Sequence, residues 1–208
     1  MGRGISAKTL LGQKFKTYVF DGIWEQVLGE QERGGIWVIY GNEKNGKTTL
    51  ALLLSDYLTN FESLNYVSAE EGTGFTFQQN LIRAKIDVKK SKIKFYDYLE
   101  IEEIETILSK RQKARIMVLD NATTYQDLKT ADLRRLRKRY PDVLFIIMAH
   151  MEKNEPTTAM AKLAKKLCNV YFRIEGLTAF VGGRCPGGAI IINEETAQLF
   201  HGSQIKSN

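Results

Sequence analysis

Ile36-Trp37-Val38-Ile39-Tyr40 runs directly into Gly41-Asn42-Glu43-Lys44-Asn45-Gly46-Lys47-Thr48, and Thr49-Leu50-Ala51-Leu52-Leu53-Leu54 follows. The first five residues are a short apolar run of the buried-strand type. The last six are helix-forming. The eight between them fit G-x-x-x-x-G-K-[ST] without a mismatch. Each fixed position has a physical reason. A loop that wraps backbone N–H groups around phosphate oxygens needs glycine's conformational freedom at both ends. The helix that opens near Gly46 aims its free amides and its dipole at the anion. Lys47 brings a compact positive charge to the β- and γ-phosphates, and Thr48 offers a hydroxyl to Mg²⁺, which prefers oxygen ligands. The expected nucleotide-binding residues are Gly41 through Thr48, with Thr49 beside them.

Outward from this loop, short apolar runs alternate with helical patterns. Strands are expected at residues 65–68, 93–98, 115–120, 143–149, 170–174, 179–181 and 189–192. Helices are expected from Thr48 to Leu58, from Ile101 to Lys113, from about Asp127 to Tyr140, and from Thr158 to Leu167. In the second of these, Glu102, Glu103 and Glu105 precede Lys110, Arg111 and Lys113, an order that suits the helix dipole. The third stops at Pro141. Strands in alternation with helices predict an α/β fold with a mainly parallel sheet covered on both faces. Residues 1–33 are mixed and glycine-containing and are expected as an N-terminal arm. Residues 34–208 are expected as one domain.

The composition agrees. With 208 residues the chain is long enough for a full core, and 43% hydrophobic and 26% charged residues are ordinary for a globular protein. Its longest apolar run, Val143 to Ala149, falls far short of the ~20 residues of a membrane helix. Cys168 and Cys185 form no disulfide framework, and two histidines, His150 and His201, make a zinc site a weak reading. A cytoplasmic location is the expectation. Thirty Lys and Arg against 24 Asp and Glu leave a net charge of +6, which favours polyanionic partners. Base concentrates at Lys89–Lys94, at Arg134–Arg139 and at Lys162–Lys166, none of it interleaved with aromatics.

Two acids follow apolar strands. Asp120 ends Ile116-Met117-Val118-Leu119 and is placed to serve Mg²⁺ together with Thr48. Val67-Ser68-Ala69-Glu70-Glu71 leads from a strand into a carboxylate pair. Here the chain resembles the RecA-like ATPases, in particular their RadA, KaiC and DnaB branch, in which a V-S-x-E segment carries the glutamate that polarises the attacking water. The pattern selects Glu70 ahead of Glu71.

The resemblance continues along the chain. Phe145-Ile146-Ile147-Met148-Ala149-His150 is similar to the family's next core strand, and His150 stands where a polar residue touches the γ-phosphate. Val181-Gly182-Gly183-Arg184-Cys185-Pro186-Gly187-Gly188 is similar to a K-x-R-x-G-x-x-G segment that carries an arginine finger into a neighbouring subunit. Arg184 matches the finger, while Gly182 departs from the lysine. Residues 151–158 stand where the family has a DNA-binding loop, yet hold two glutamates and one lysine.

The resemblance, which spans residues 34 to 200, implies a RecA-like P-loop core with C-terminal antiparallel strands. It also implies Mg²⁺-dependent ATP hydrolysis by a motor or recombination-type protein that acts on single-stranded DNA as a homo-oligomeric ring or filament. Lys47, Glu70, His150 and Arg184 are the expected catalytic residues, Thr48 and Asp120 the expected metal ligands. Two other readings share the loop: a DNA-independent regulatory ATPase of the KaiC type, and a small-molecule kinase.

Overall fold

The computed structural model describes residues 4–125 and 128–192. The residues following Gly34 build a sheet in the order β11-β10-β9-β3-β7-β6-β4-β5. Its strands are β3 (Gly35–Gly41), β4 (Leu64–Ser68), β5 (Ile93–Tyr96), β6 (Ile116–Asp120), β7 (Leu144–Glu152), β9 (Val170–Glu175), β10 (Thr178–Gly183) and β11 (Gly188–Ile191). A short β8 (Glu155–Pro156) folds back on the end of β7. The six strands from β9 to β5 are parallel, and β10 and β11 add to the β9 edge antiparallel.

The apolar strands face helices on both sides, which is why they read as continuous hydrophobic runs instead of alternating ones. In β3, Trp37 and Ile39 point to one core and Ile36, Val38 and Tyr40 to the other. The first core is closed by α3 (Lys47–Leu58), through Leu50, Leu54 and Leu58, and by Phe77 of α4 (Phe75–Arg83). The second is closed by α5 (Ile101–Ser109), α6 (Thr130–Arg139) and α7 (Ala159–Leu167), whose inward residues include Ile104, Leu108, Leu133, Leu136, Met160 and Ala164.

Several elements differ from expectation. The segment read as an irregular arm carries α1 (Ala7–Leu11), β1 (Thr17–Tyr18), α2 (Gly22–Leu28) and β2 (Gln31–Glu32). It sends Tyr18, Phe20, Val27 and Leu28 into the first core, where Phe20 packs edge-on to Phe61. Helix α4 is absent from the expected elements; it buries Phe77 and packs Leu81, partly buried, against the first core. Helix α5 ends at Ser109, so Lys110 is its C-cap and Arg111 and Lys113 lie beyond it. Its start is as expected: Glu100 and Glu103 form a reciprocal capping box. The expected start of the third helix, Asp127, lies outside the described residues, as do the stretch beyond residue 192 and His201 within it.

Candidate nucleotide site

The chain leaves the top of β3 at Gly41, in the crevice outside the carboxyl ends of the parallel strands, and re-enters regular structure at Lys47. Both motif glycines are sterically required. A Cβ on Gly41 would come within 2.5 Å of the Ile174 carbonyl oxygen on β9. Gly46 sits at φ +90°, and a Cβ there would approach Leu177 Cδ2 to 2.8 Å. The loop therefore lies tight against the β9–β10 turn, and α3 starts with its first amides directed outward from Gly46.

Lys47 is buried and folds back over the loop, donating from Nζ to the Asn42 carbonyl at 2.8 Å. Burial lowers its pKa, and the nearby Glu70, Asp120 and Glu43 counter that shift. Lys47 is thus held in place over the loop, facing the cleft that it lines. The cleft in front of it measures about 620 Å³, and its walls include Glu43, Lys44, Thr48, Thr49, Glu70 and Asp120.

Thr48 and Asp120 meet across the cleft floor. Thr48 Oγ1 donates to Asp120 Oδ2 at 3.4 Å, and the Tyr66 hydroxyl donates to the same oxygen at 2.6 Å. Asp120 is only 6% exposed. Its pKa is pushed up to about 6, chiefly by burial, with Glu71 and Glu70 adding repulsion that the Tyr66 and Thr48 hydrogen bonds partly offset. A buried carboxylate beside a hydroxyl, facing further acids, is a hard-oxygen donor set that gains from a divalent cation. These residues therefore fit Mg²⁺.

Glu70 lies beyond the end of β4, 45% exposed at its side chain, and is held from two sides. Asn121 Nδ2 donates to Oε2 at 3.0 Å, and His150 Nε2 lies 3.4 Å from Oε1. His150 stands on β7, its amide held by Thr123 Oγ1, and its Nδ1 has no hydrogen-bond partner among the described residues. Glu71 lines the same cleft and accepts from Asn80 Nδ2 at 2.9 Å. The two carboxylates differ in their bracing: Glu70 is held by Asn121 and His150, Glu71 by Asn80 on α4.

Comparisons with solved structures bear on the fold. The chain is similar to a KaiC-like protein from Pyrococcus horikoshii (16% identity over 83% of this chain and 88% of that one, TM-score 0.59). It is similar to the flagellar accessory protein FlaH from Methanocaldococcus jannaschii (15% identity, 86% and 92%, TM-score 0.56). An ATP synthase subunit, NeqB, from Nanoarchaeum equitans also matches (12% identity, 73% and 48%, TM-score 0.53). The fold is that of the RecA-like P-loop ATPases. At these identities the likeness is one of fold, and no protein-family model and no curated protein matches the sequence.

Within the RecA-like frame, Arg184 lies far from its own cleft. Gly183 is level with Val170 and so with Trp37, whereas the phosphate loop leaves at Gly41, level with Ile174. The Arg184 amide donates to the Asn169 carbonyl, and the Asn169 amide donates to Ile36. Arg184 is thus exposed near the start of β3, five residues or about 17 Å down the sheet from the loop. The structure brings together Lys47, Thr48, Glu70, Asp120 and His150, and it does not bring Arg184 to them.

Four contributors escaped the sequence reading. Tyr66 is fully buried on β4, and its hydrogen bond to Asp120 gives no motif signal. Asn121, which follows the acid directly, braces Glu70. Thr76 and Arg83 line the cleft from α4, the helix the sequence did not reveal. Among the described residues no helix is long and apolar enough to cross a membrane.

Proposed function

We propose that the protein is a Mg²⁺-dependent ATPase that acts on nucleic acid, single-stranded DNA first, as a homo-oligomer, with residues 34–208 as its catalytic domain. The observation that carries this reading is the convergence of three separately positioned groups on one cleft: the Lys47 loop, the buried Thr48–Asp120 pair, and the braced Glu70. The loop amides and Lys47 hold the triphosphate. Thr48 and Asp120 would hold Mg²⁺, which supplies neutralisation of charge on the phosphate oxygens when bound. Glu70 orients a water for in-line attack and accepts its proton, and Asn121 and His150 fix the carboxylate for that task. His150 also links the cleft to the β7–β8 hairpin, since its carbonyl accepts from the Thr157 amide. Arg184, at the far end of the sheet, serves a neighbour's cleft, where a guanidinium offsets charge developing on the γ-phosphate.

The test is ADP release from Mg·ATP without any acceptor, with and without single-stranded DNA. Turnover is expected in wild type. In Glu70→Gln, turnover is expected to fall by about 10²–10⁴ while nucleotide binding persists. Hydrolysis that continues unchanged in Glu70→Gln overturns the role of that carboxylate.

A second reading is a DNA-independent regulatory ATPase. One observation favours it: the β7–β8 hairpin carries Glu152 and Glu155, and Glu155 takes up Lys165 at 2.8 Å, leaving Lys153 as the hairpin's lone cation. Turnover that ignores DNA at low salt supports it over the first. ADP that appears only with an added phosphate acceptor would instead mark a kinase.

A further inference from the structure

The basic residues of α6 are not equivalent. Arg135 and Arg139, one turn apart, face α5, and both pair with Glu105, Arg135 also with Asp132. Arg134, Arg137 and Lys138 lie on another face at i, i+3 and i+4 spacing, which puts them about 5–6 Å apart. They are exposed, and none pairs with an acid among the described residues. Leu133 and Leu136 form the third, buried face, against which α7 packs.

Helix α7 repeats the division. Met160, Ala161 and Ala164 are buried, Lys165 is taken by Glu155, and Lys162 and Lys166 are exposed without an acidic partner. Arg134, Arg137, Lys138 and Leu167 line a cleft of about 440 Å³ where the two helices meet. The acids nearby are engaged: Glu105 and Asp132 with α6, Glu155 with Lys165, and Asp142 with Lys113 and Arg115. Glu32 lies across a smaller cleft beside Arg33 and Arg137. Arg134, Arg137 and Lys138 thus line one cleft without an acidic partner among the described residues, outside the nucleotide cleft, and Lys162 and Lys166 are exposed on the helix packed beside them.

We propose that this α6–α7 face binds the phosphate backbone of a polynucleotide without reading its sequence. The inference rests on the nucleic-acid partner of the proposed function and names the surface that would serve it. Phosphates are the partner this chemistry fits, because the cations sit in rows a few ångströms apart and no exposed aromatic stands among them to stack a base. The β7–β8 hairpin, which carries Lys153 as its one cation beside Glu152 and Glu155, makes a poor alternative. Five phosphate contacts give a salt slope of about −3.5 for a single strand, or roughly a hundredfold loss of affinity between 50 and 200 mM salt.

The test is fluorescence anisotropy of labelled single-stranded and duplex oligonucleotides over that salt range, on the full chain. The combined Arg134→Ala, Arg137→Ala, Lys138→Ala variant is expected to lose at least tenfold in affinity and to flatten the slope by about 2. Lys162→Gln with Lys166→Gln, on the other helix, is expected to flatten it by about 1.4, so that a misfolded first variant does not decide the matter. ATP turnover without nucleic acid is expected to stay at the wild-type rate in both. Loss of binding to either strand form supports the proposal. Unaltered binding in both variants, or an equal loss from Lys92→Ala, Lys94→Ala, Lys110→Ala at the β4–β5 edge, overturns the surface alone. Binding to phosphatidylserine vesicles but to no oligonucleotide overturns both the surface and the nucleic-acid partner, and leaves the hydrolase reading to its own assay.

Discussion

Replacing Asp120 by Asn separates what the carboxylate costs the empty protein from what it does for the loaded one. The side chain keeps its size, and its carbonyl oxygen can still accept from Tyr66 and Thr48. What is lost is a charge that burial resists. An aspartate has a model value of 3.8, and Asp120 in the folded chain stands at about 6. A carboxyl whose pKa rises on folding penalises the fold wherever the unfolded group is ionised. The penalty is absent below 3.8, grows as pH rises to about 6, and is constant above. The span between the two values is worth about 3 kcal/mol at neutral pH and roughly half of that at pH 5. Asp120→Asn is therefore expected to stabilise the nucleotide-free protein at pH 7.5 by up to about 3 kcal/mol, or roughly 6–12 °C in a chain of this size. The gain should shrink by about half at pH 5. The same variant should forfeit the stabilisation that saturating Mg·ATP confers on wild type, about 2.7 kcal/mol at a hundredfold excess over Kd. Thermal melts at both pH values, with and without Mg·ATP, read all three effects. A variant that melts below wild type at pH 7.5, or one that keeps the full Mg·ATP shift, refutes the argument that the acid is held at a cost for a cation.

Three further outcomes follow from the same geometry. Tyr66→Phe removes the shorter hydrogen bond to Asp120, so the carboxyl pKa should rise further above about 6, and the pH midpoint of Mg·ATP binding, followed by calorimetry, should move upward with it. Gly46→Ala places a side chain at φ +90°, 2.8 Å from Leu177, and should cost about 1–2 kcal/mol in denaturant melts and weaken nucleotide binding with it. Arg184→Ala should leave nucleotide affinity intact while turnover per subunit no longer rises with protein concentration; a rate that still rises as in wild type removes the finger.

The parts of the site that could be read in advance are those whose chemistry is local in the chain. The phosphate loop is legible because eight consecutive residues must satisfy one backbone shape and one charge. Asp120 is legible because it ends an apolar strand, and Glu70 because the V-S-x-E pattern of the resemblance selects it two residues past β4. Tyr66 is not, since its role depends on β4 lying beside β6, which places Tyr66 level with Val118 and one turn of the pleat from Asp120. Helix α4 stayed hidden for a related reason. It covers the sheet with one buried aromatic, Phe77, and turns Thr76, Asn80 and Arg83 to the cleft, so what it contributes depends on its place over the sheet and not on any motif of its own. The end of α5 shows the opposite failure: charge order along the sequence suggested a last turn that the backbone does not make, with Lys110 already extended at ψ 143°.

The distance between Arg184 and its own cleft constrains assembly, on the role proposed for that residue. The cleft opens at the carboxyl ends of the parallel strands, and Arg184 sits about 17 Å lower, at the level where β3 begins. A contact that carries this arginine to another subunit's phosphates joins the foot of one sheet to the crest of the next. A twofold axis satisfies both arginines only if one patch spans the full ~17 Å from foot to crest and the two sheets run antiparallel across it, so that each foot meets the other crest. A heterologous contact needs only the foot of one subunit and the crest of the next, and leaves an unused foot or crest until the contacts close into a ring or continue as a filament. Mass measurement in solution with a non-hydrolysable analogue separates the two: a species that stops at the dimer marks the first, and a ladder that grows by one subunit marks the second. Either assembly is expected to weaken in Arg184→Ala; an unchanged mass distribution in that variant removes the contact.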